Sequence, residues 1–141
     1  MGNQQLKTYR VDAGESPFVV IANVRGAKTA DAQEFIGILE QHLDGGVPFV
    51  SIHDARWSPP WTAQDRQTTF EWLKREEPRL RRLFAAHLVL VRNSIARGMV
   101  NAIFWGSPLS GRLKTFAELA EAKVWGREAH ARFIAEQRRS V

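Results

Sequence analysis

The chain has 141 residues, no cysteine, 44% hydrophobic and 25% charged side chains. That suffices for one core and lies far from the composition of disorder. Without thiols it excludes disulfides, thiol catalysis and thiolate metal sites. The formal charge of +5 is uneven: five Lys/Arg stand against eight Asp/Glu up to Asp65, and fifteen against seven after it. A basic second half suits either a nucleic-acid or acidic partner or the solvated faces of helices, and no recognised nucleic-acid-binding module accompanies it. No apolar run reaches the ~18 residues of a membrane span. The opening MGNQQLKTYR has no apolar segment after its charges, so a cytoplasmic location is expected.

Leu6, Tyr9 and Val11 alternate with Lys7, Thr8 and Arg10, which predicts a short edge strand. Phe18 to Val24 is apolar on both faces and bounded by Pro17 and Gly26, the pattern of a central strand. Thr29 to Leu43 reads as an amphipathic helix, with Asp31 and Glu34 spaced as a capping box and Asp44-Gly45-Gly46 as its stop. Phe49 to Asp54 is a second core strand, broken by Ser58-Pro59-Pro60 before a helix opening at Thr62. Pro78 either kinks that helix or starts another, and an apolar stripe continues through Leu80, Leu83 and Phe84 to Ala86.

His87 to Val91 gives a third core strand, and Asn93 or Ser94 caps a short helix through Phe104, ending near Gly106-Ser107-Pro108. Arg112 to Phe116 suits a last short strand, and Thr115 to Glu118 spells a second capping box before the closing helix, whose tail from Gln137 is expected to fray. Alternating strands and helices with short links predict a single α/β domain: a mainly parallel, four- to five-stranded sheet covered by about four helices.

This order resembles the STAS-like domains related to anti-sigma-factor antagonists, the SpoIIAA-like fold, and more closely the stand-alone bacterial STAS/CRAL-TRIO-like small proteins. The residues that carry the resemblance are Val24-Arg25-Gly26 before the first long helix and Ile52-His53-Asp54 ending a strand. They continue with His87 to Val91, then Asn93 to Gly98, Ala102 to Trp105, Lys114-Thr115-Phe116, and Glu121, Ala122 and Trp125 in the closing helix. The resemblance covers residues 8–130 of one domain spanning 1–141 and implies a regulatory or scaffolding module that docks a protein partner. In the antagonists a phosphorylatable serine sits where a strand gives way to a helix. Here Ala55-Arg56-Trp57-Ser58-Pro59-Pro60-Trp61-Thr62 stands in place of that Asp-Ser-Ser/Thr-Gly type of run, with Ser58 and Thr62 as the nearest hydroxyls. The CRAL-TRIO comparison implies an apolar ligand, although so short a chain leaves little room for a lipid-sized cavity.

Ligands of open α/β sheets sit outside the carboxyl ends of the parallel strands. Those ends supply Arg25 and Lys28, then Asp54, Arg56 and Ser58, then Arg92, Asn93 and Ser94. They would form either a small anion pocket or a set of local salt bridges, with Asp54 binding its own loop. Trp57 and Trp61, flanking the two prolines, would either offer an aromatic surface to a partner or pack onto the sheet edge. Trp72, Trp105 and Trp125 have apolar neighbours and read as packing residues. His53 and Asp54, adjacent in a strand, point to opposite faces and cannot easily act together. With no metal spacing, nucleophile motif or phosphate loop, the sequence predicts no catalysis, no metal and no cofactor. The expectation is a protein-interaction module docking through the 54–62 loop and the helix starts after residues 26 and 93. The alternative is a small-molecule site, anionic or apolar, at the same strand ends. A homodimer through an edge strand stays open.

Overall fold

A computed structural model of the chain describes residues 3–105, 107 and 109–140. Six strands form one sheet: β1 (Asn3–Gln5), β2 (Tyr9–Asp12), β3 (Phe18–Asn23), β4 (Phe49–Asp54), β5 (Phe84–Leu90) and β6 (Leu113–Phe116). Spatial order equals chain order, with β1, β2 and β3 antiparallel and β3 to β6 parallel. Five helices accompany it: α1 (Ala32–Asp44), α2 (Ala63–Arg75), α3 (Glu77–Leu83), α4 (Ser94–Phe104) and α5 (Leu119–Arg139). The step from each parallel strand to the next runs the same way across the sheet. Right-handed crossovers therefore put α1 to α4 on one face, and α5 closes the other.

The α/β class and its parallel core are as the sequence predicts, but the sheet is mixed and six-stranded rather than four- to five-stranded, and among the described residues there are five α-helices rather than about four. The extra strand arises because the amino-terminal alternation is interrupted: Leu6 N–H donates to the Tyr9 carbonyl at 2.8 Å, folding the segment into a hairpin. β1 is exposed along its whole length and made of Asn-Gln-Gln, so it carries no apolar signal. The extra helix arises at Pro78, which sits in the first turn of α3 where no intrahelical N–H is needed. Phe84 to Ala86, predicted as helical stripe, belong to β5. An extra residue there, between the Phe49–Phe84 and Val50–Ala86 pairs, turns both Ala85 and Ala86 toward the α5 face. The expected loose end from Gln137 continues as helix to Arg139, with Gln137 Nε2 donating to the Arg82 carbonyl at 2.7 Å.

Two cores result. Tyr9, Val11, Val19, Ile21 and Phe49 meet Phe35, Ile38, Leu39, Trp72, Leu73 and Leu80 under α1 to α3. Phe18, Val50, Ile52, Leu88 and Leu90 meet Ala122, Ala129 and Phe133 of α5. Trp72 is buried as expected, its indole N–H donating to Glu40 at 2.7 Å.

Asp31 caps α1 by accepting from Glu34 N–H, yet Glu34 does not complete the capping box. Its Oε2 instead accepts from the backbone N–H groups of Thr8 and Tyr9, both at 2.8 Å, tying α1 to β2. Glu34→Ala leaves two buried donors without an acceptor. It should lower unfolding stability by about 2–3 kcal/mol, read from the urea midpoint. A drop within ±0.5 kcal/mol, usual for a surface position, would mean that this tie carries little.

Candidate functional site

Strand alternation sends Phe49, Ser51 and His53 of β4 toward α1 and α2, and Val50, Ile52 and Asp54 toward α5. On β5 the same rule turns His87 and Val89 inward beside them, and Val91, just past its end, lines the same space. Near the strand ends this inner face stands away from the helix layer and leaves a cavity of about 230 Å³. Phe35 of α1 and Thr69 of α2 wall it on one side, and Ala96, Met99, Val100 and Phe104 of α4 on the other. The Ser58 to Trp61 segment covers its end.

The interior is aromatic. His53 packs on Phe35 with ring centres 4.6 Å apart, and on the Trp61 and Tyr9 edges at 6.2 Å. His87 stacks on Phe84 and tilts against Phe104, each at 5.5 Å, while His87 Nδ1 shares a hydrogen bond of 3.0 Å with Ser51 Oγ. Burial holds the His53 imidazole neutral, pushing its pKa down to about 4 despite the adjacent Asp54 carboxylate. Burial, with His53 close by, pushes His87 down to about 3. Two polar atoms on this wall, His53 Nε2 and Thr69 Oγ1, are enclosed and have no hydrogen-bond partner.

A shallower groove runs outside the cavity between α2 and α4, lined by Phe70, Gln67, Ala102 and Trp105, and shares Arg66 and Met99 with it. Trp105, expected to pack, is 84% exposed. Ile95 at 78% and Trp57 at 71% leave further apolar surface exposed.

The predicted site residues do not assemble into one pocket. Arg25 and Lys28 lie exposed after β3. Asp54 and Arg56 form a two-bonded ion pair at 3.0 and 2.9 Å on the opposite face, extended to Glu118. Burial alone would raise the Asp54 carboxyl, but the Arg56 hydrogen bonds outweigh it and hold it below the usual carboxylate range. Arg92 lies 4.4 Å over the Trp57 ring. Thr62 caps α2 in a full capping box with Asp65, and Asn93 caps α4 through Ala96 N–H, with Ser94 exposed in its first turn. Only Ser58 and Trp61 of the predicted set line the cavity. The two tryptophans thus divide: Trp57 faces outward and Trp61 packs inward.

The reason is topological. Ligand crevices at the strand tips form where strand order reverses, and the order β3-β4-β5-β6 never reverses. Space opens instead between the sheet and its single layer of crossover helices.

Many basic side chains of the second half have local partners. Arg79 binds Glu76, Asp44 and Glu40, and Arg81 binds Glu77. Arg112 Nη1 donates to the carbonyls of Leu80, Arg81 and Phe84 at the end of α3. Among the described residues no helix is long and apolar enough to cross a membrane, and no cluster of three metal-ligating side chains occurs.

No protein-family profile matches this sequence, and no curated protein matches it. Among solved structures it is similar to an uncharacterised DUF3478-family protein with a SpoIIAA-like fold from Shewanella loihica PV-4. The two superpose with a TM-score of 0.61 at 14% identity, over 87% of this chain and 97% of that one. With the strand order and helix placement above, that superposition assigns the chain a SpoIIAA-like fold.

Proposed function

We propose that this chain is a non-catalytic binding domain whose cavity between sheet and helices takes a small, largely apolar ligand. The observation that carries the reading is the cavity itself: about 230 Å³, against roughly 150 Å³ for an engineered apolar cavity that accepts benzene. Its aromatic and branched lining and its neutral imidazoles favour a ring with a short substituent over an anion. The Ser51–His87 pair serves packing in this reading, because Ser51 is wholly enclosed and its hydroxyl already bonds His87.

One- and two-ring compounds such as toluene, indole and naphthalene should raise the thermal midpoint, with about 2.7 kcal/mol of stabilisation at a hundredfold excess over Kd. Ala96→Phe, which fills the space from α4, should abolish the rise. A midpoint that no compound moves would overturn the proposal.

A second reading, a protein-docking module, is supported by the exposed large apolar side chains of Trp57, Ile95 and Trp105. Replacing Trp57 and Ile95 by serine would then abolish association with the partner while leaving ligand-induced stabilisation intact.

A further inference from the structure

We propose that the ligand of this cavity presents an uncharged hydroxyl group to His53 Nε2 and Thr69 Oγ1, with the rest of it apolar. The inference rests on the cavity being a ligand site and adds which chemical class it takes. His53 comes from β4 and Thr69 from α2, and both line the same space at 5% and 6% exposure. Nearly all buried polar side-chain atoms in folded proteins find a partner, and one without a partner is destabilising. Here two residues that line one cavity from separate elements each carry such an atom, and most of the surrounding lining is apolar, from Phe35, Trp61, Val89, Val91 and Phe104.

The donor and acceptor chemistry selects a hydroxyl. A neutral imidazole nitrogen accepts or donates according to its tautomer, and a threonine hydroxyl does both. A ligand hydroxyl, donating once and accepting once, satisfies the pair in either tautomer. A carboxylate fits poorly, because both imidazoles are held neutral and the deep wall offers no counter-charge to a desolvated anion. The cation on the lining, Arg66, is exposed, and its Nη1 already donates to the Trp61 carbonyl at 2.9 Å.

Three probes of one skeleton test this on the full chain by titration calorimetry: p-cresol, toluene and p-toluate. The expected order is p-cresol tighter than toluene by about tenfold or more, the scale of leaving one buried polar group unpaired, with p-toluate weakest. Thr69→Val, which keeps the side-chain shape, should bring the p-cresol and toluene affinities together, and His53→Phe should do the same. Toluene binding as well as p-cresol in the unaltered protein, or p-toluate binding best, would overturn the hydroxyl assignment and leave the cavity reading standing. If none of the three binds, the cavity reading falls with it. The comparison in the unaltered protein decides the matter even if a variant fails to fold.

Discussion

Acidification from pH 7 to pH 4 should strip the folded protein of several kcal/mol. His53 and His87 have folded pKa values pushed down from 6.5 to about 4 and about 3 by burial. In the unfolded chain both titrate near 6.5. Between those limits the unfolded state binds protons that the folded state refuses, so stability rises with pH there. The contribution is complete above pH 6.5 and is lost as pH falls through 6.5 toward 4 and 3. For His53 alone the loss is about 3 kcal/mol. Urea midpoints at pH 7.5, 5.5 and 4.5 measure it. A His53→Phe protein should show a shallower decline, since it retains only the His87 share. A profile flat across that range would mean that the two imidazoles are open to water in solution.

The second large effect lies on the opposite face of the sheet. Gly126→Leu should destabilise the protein by about 3 kcal/mol or more. A Cβ at Gly126 would stand 2.8 Å from Phe18 Cε1, 3.2 Å from Leu88 Cδ1 and 3.3 Å from Val50 Cγ1. These three side chains are fully packed core, so the neighbours have nowhere to retreat and α5 must lift from the sheet. Gly126→Ala tests the same contact more finely. Its helix-propensity gain of about 1 kcal/mol opposes the overlap, and a net loss would show that close approach outweighs propensity. Combining Gly126→Ala with Phe18→Leu should recover part of the loss, because the two positions touch and their effects will not add. A Gly126→Leu protein of undiminished stability would mean that α5 sits farther out than its contacts indicate.

The parallel core was legible because burial on both faces writes itself as unbroken apolar runs. Phe18 to Asn23 and Phe49 to Asp54 are strands within a residue of where their composition ends them. β1 was illegible for the opposite reason: Asn3, Gln4 and Gln5 bury nothing, and only the Leu6–Tyr9 turn reveals them. Glu34 satisfies the local capping rule by spacing, yet a partner 25 residues away in the chain takes its carboxylate, and no window of sequence contains that competition.

The candidate site was half legible. Asp54 and Arg56 were placed correctly at a strand end, but their mutual ion pair uses them up. The cavity residues had a signal available in period-two alternation: Ser51 and His53 share the inner face of β4, and Ser51 pairs directly with His87. Polar side chains on the inward register of a core strand are expensive unless matched. Such a pattern points inward to the sheet–helix gap rather than outward to the strand tips. Thr69 gave no such signal, since a threonine in an amphipathic helix reads as surface until its neighbours are known.

One consequence of the winding concerns how the protein comes into being. All four parallel strands and every helix of the first layer precede α5 in the chain, so during synthesis the α1–α4 side can close while Phe18, Val50, Ile52, Leu88 and Leu90 still face water. Until the segment from Leu119 onward is made, the nascent sheet is a one-sided apolar plate, the kind of transient surface that invites association with other chains. α5 is therefore the nascent chain's own chaperone, and a stalled or clipped product lacking it should be recovered as aggregate rather than as a smaller folded domain.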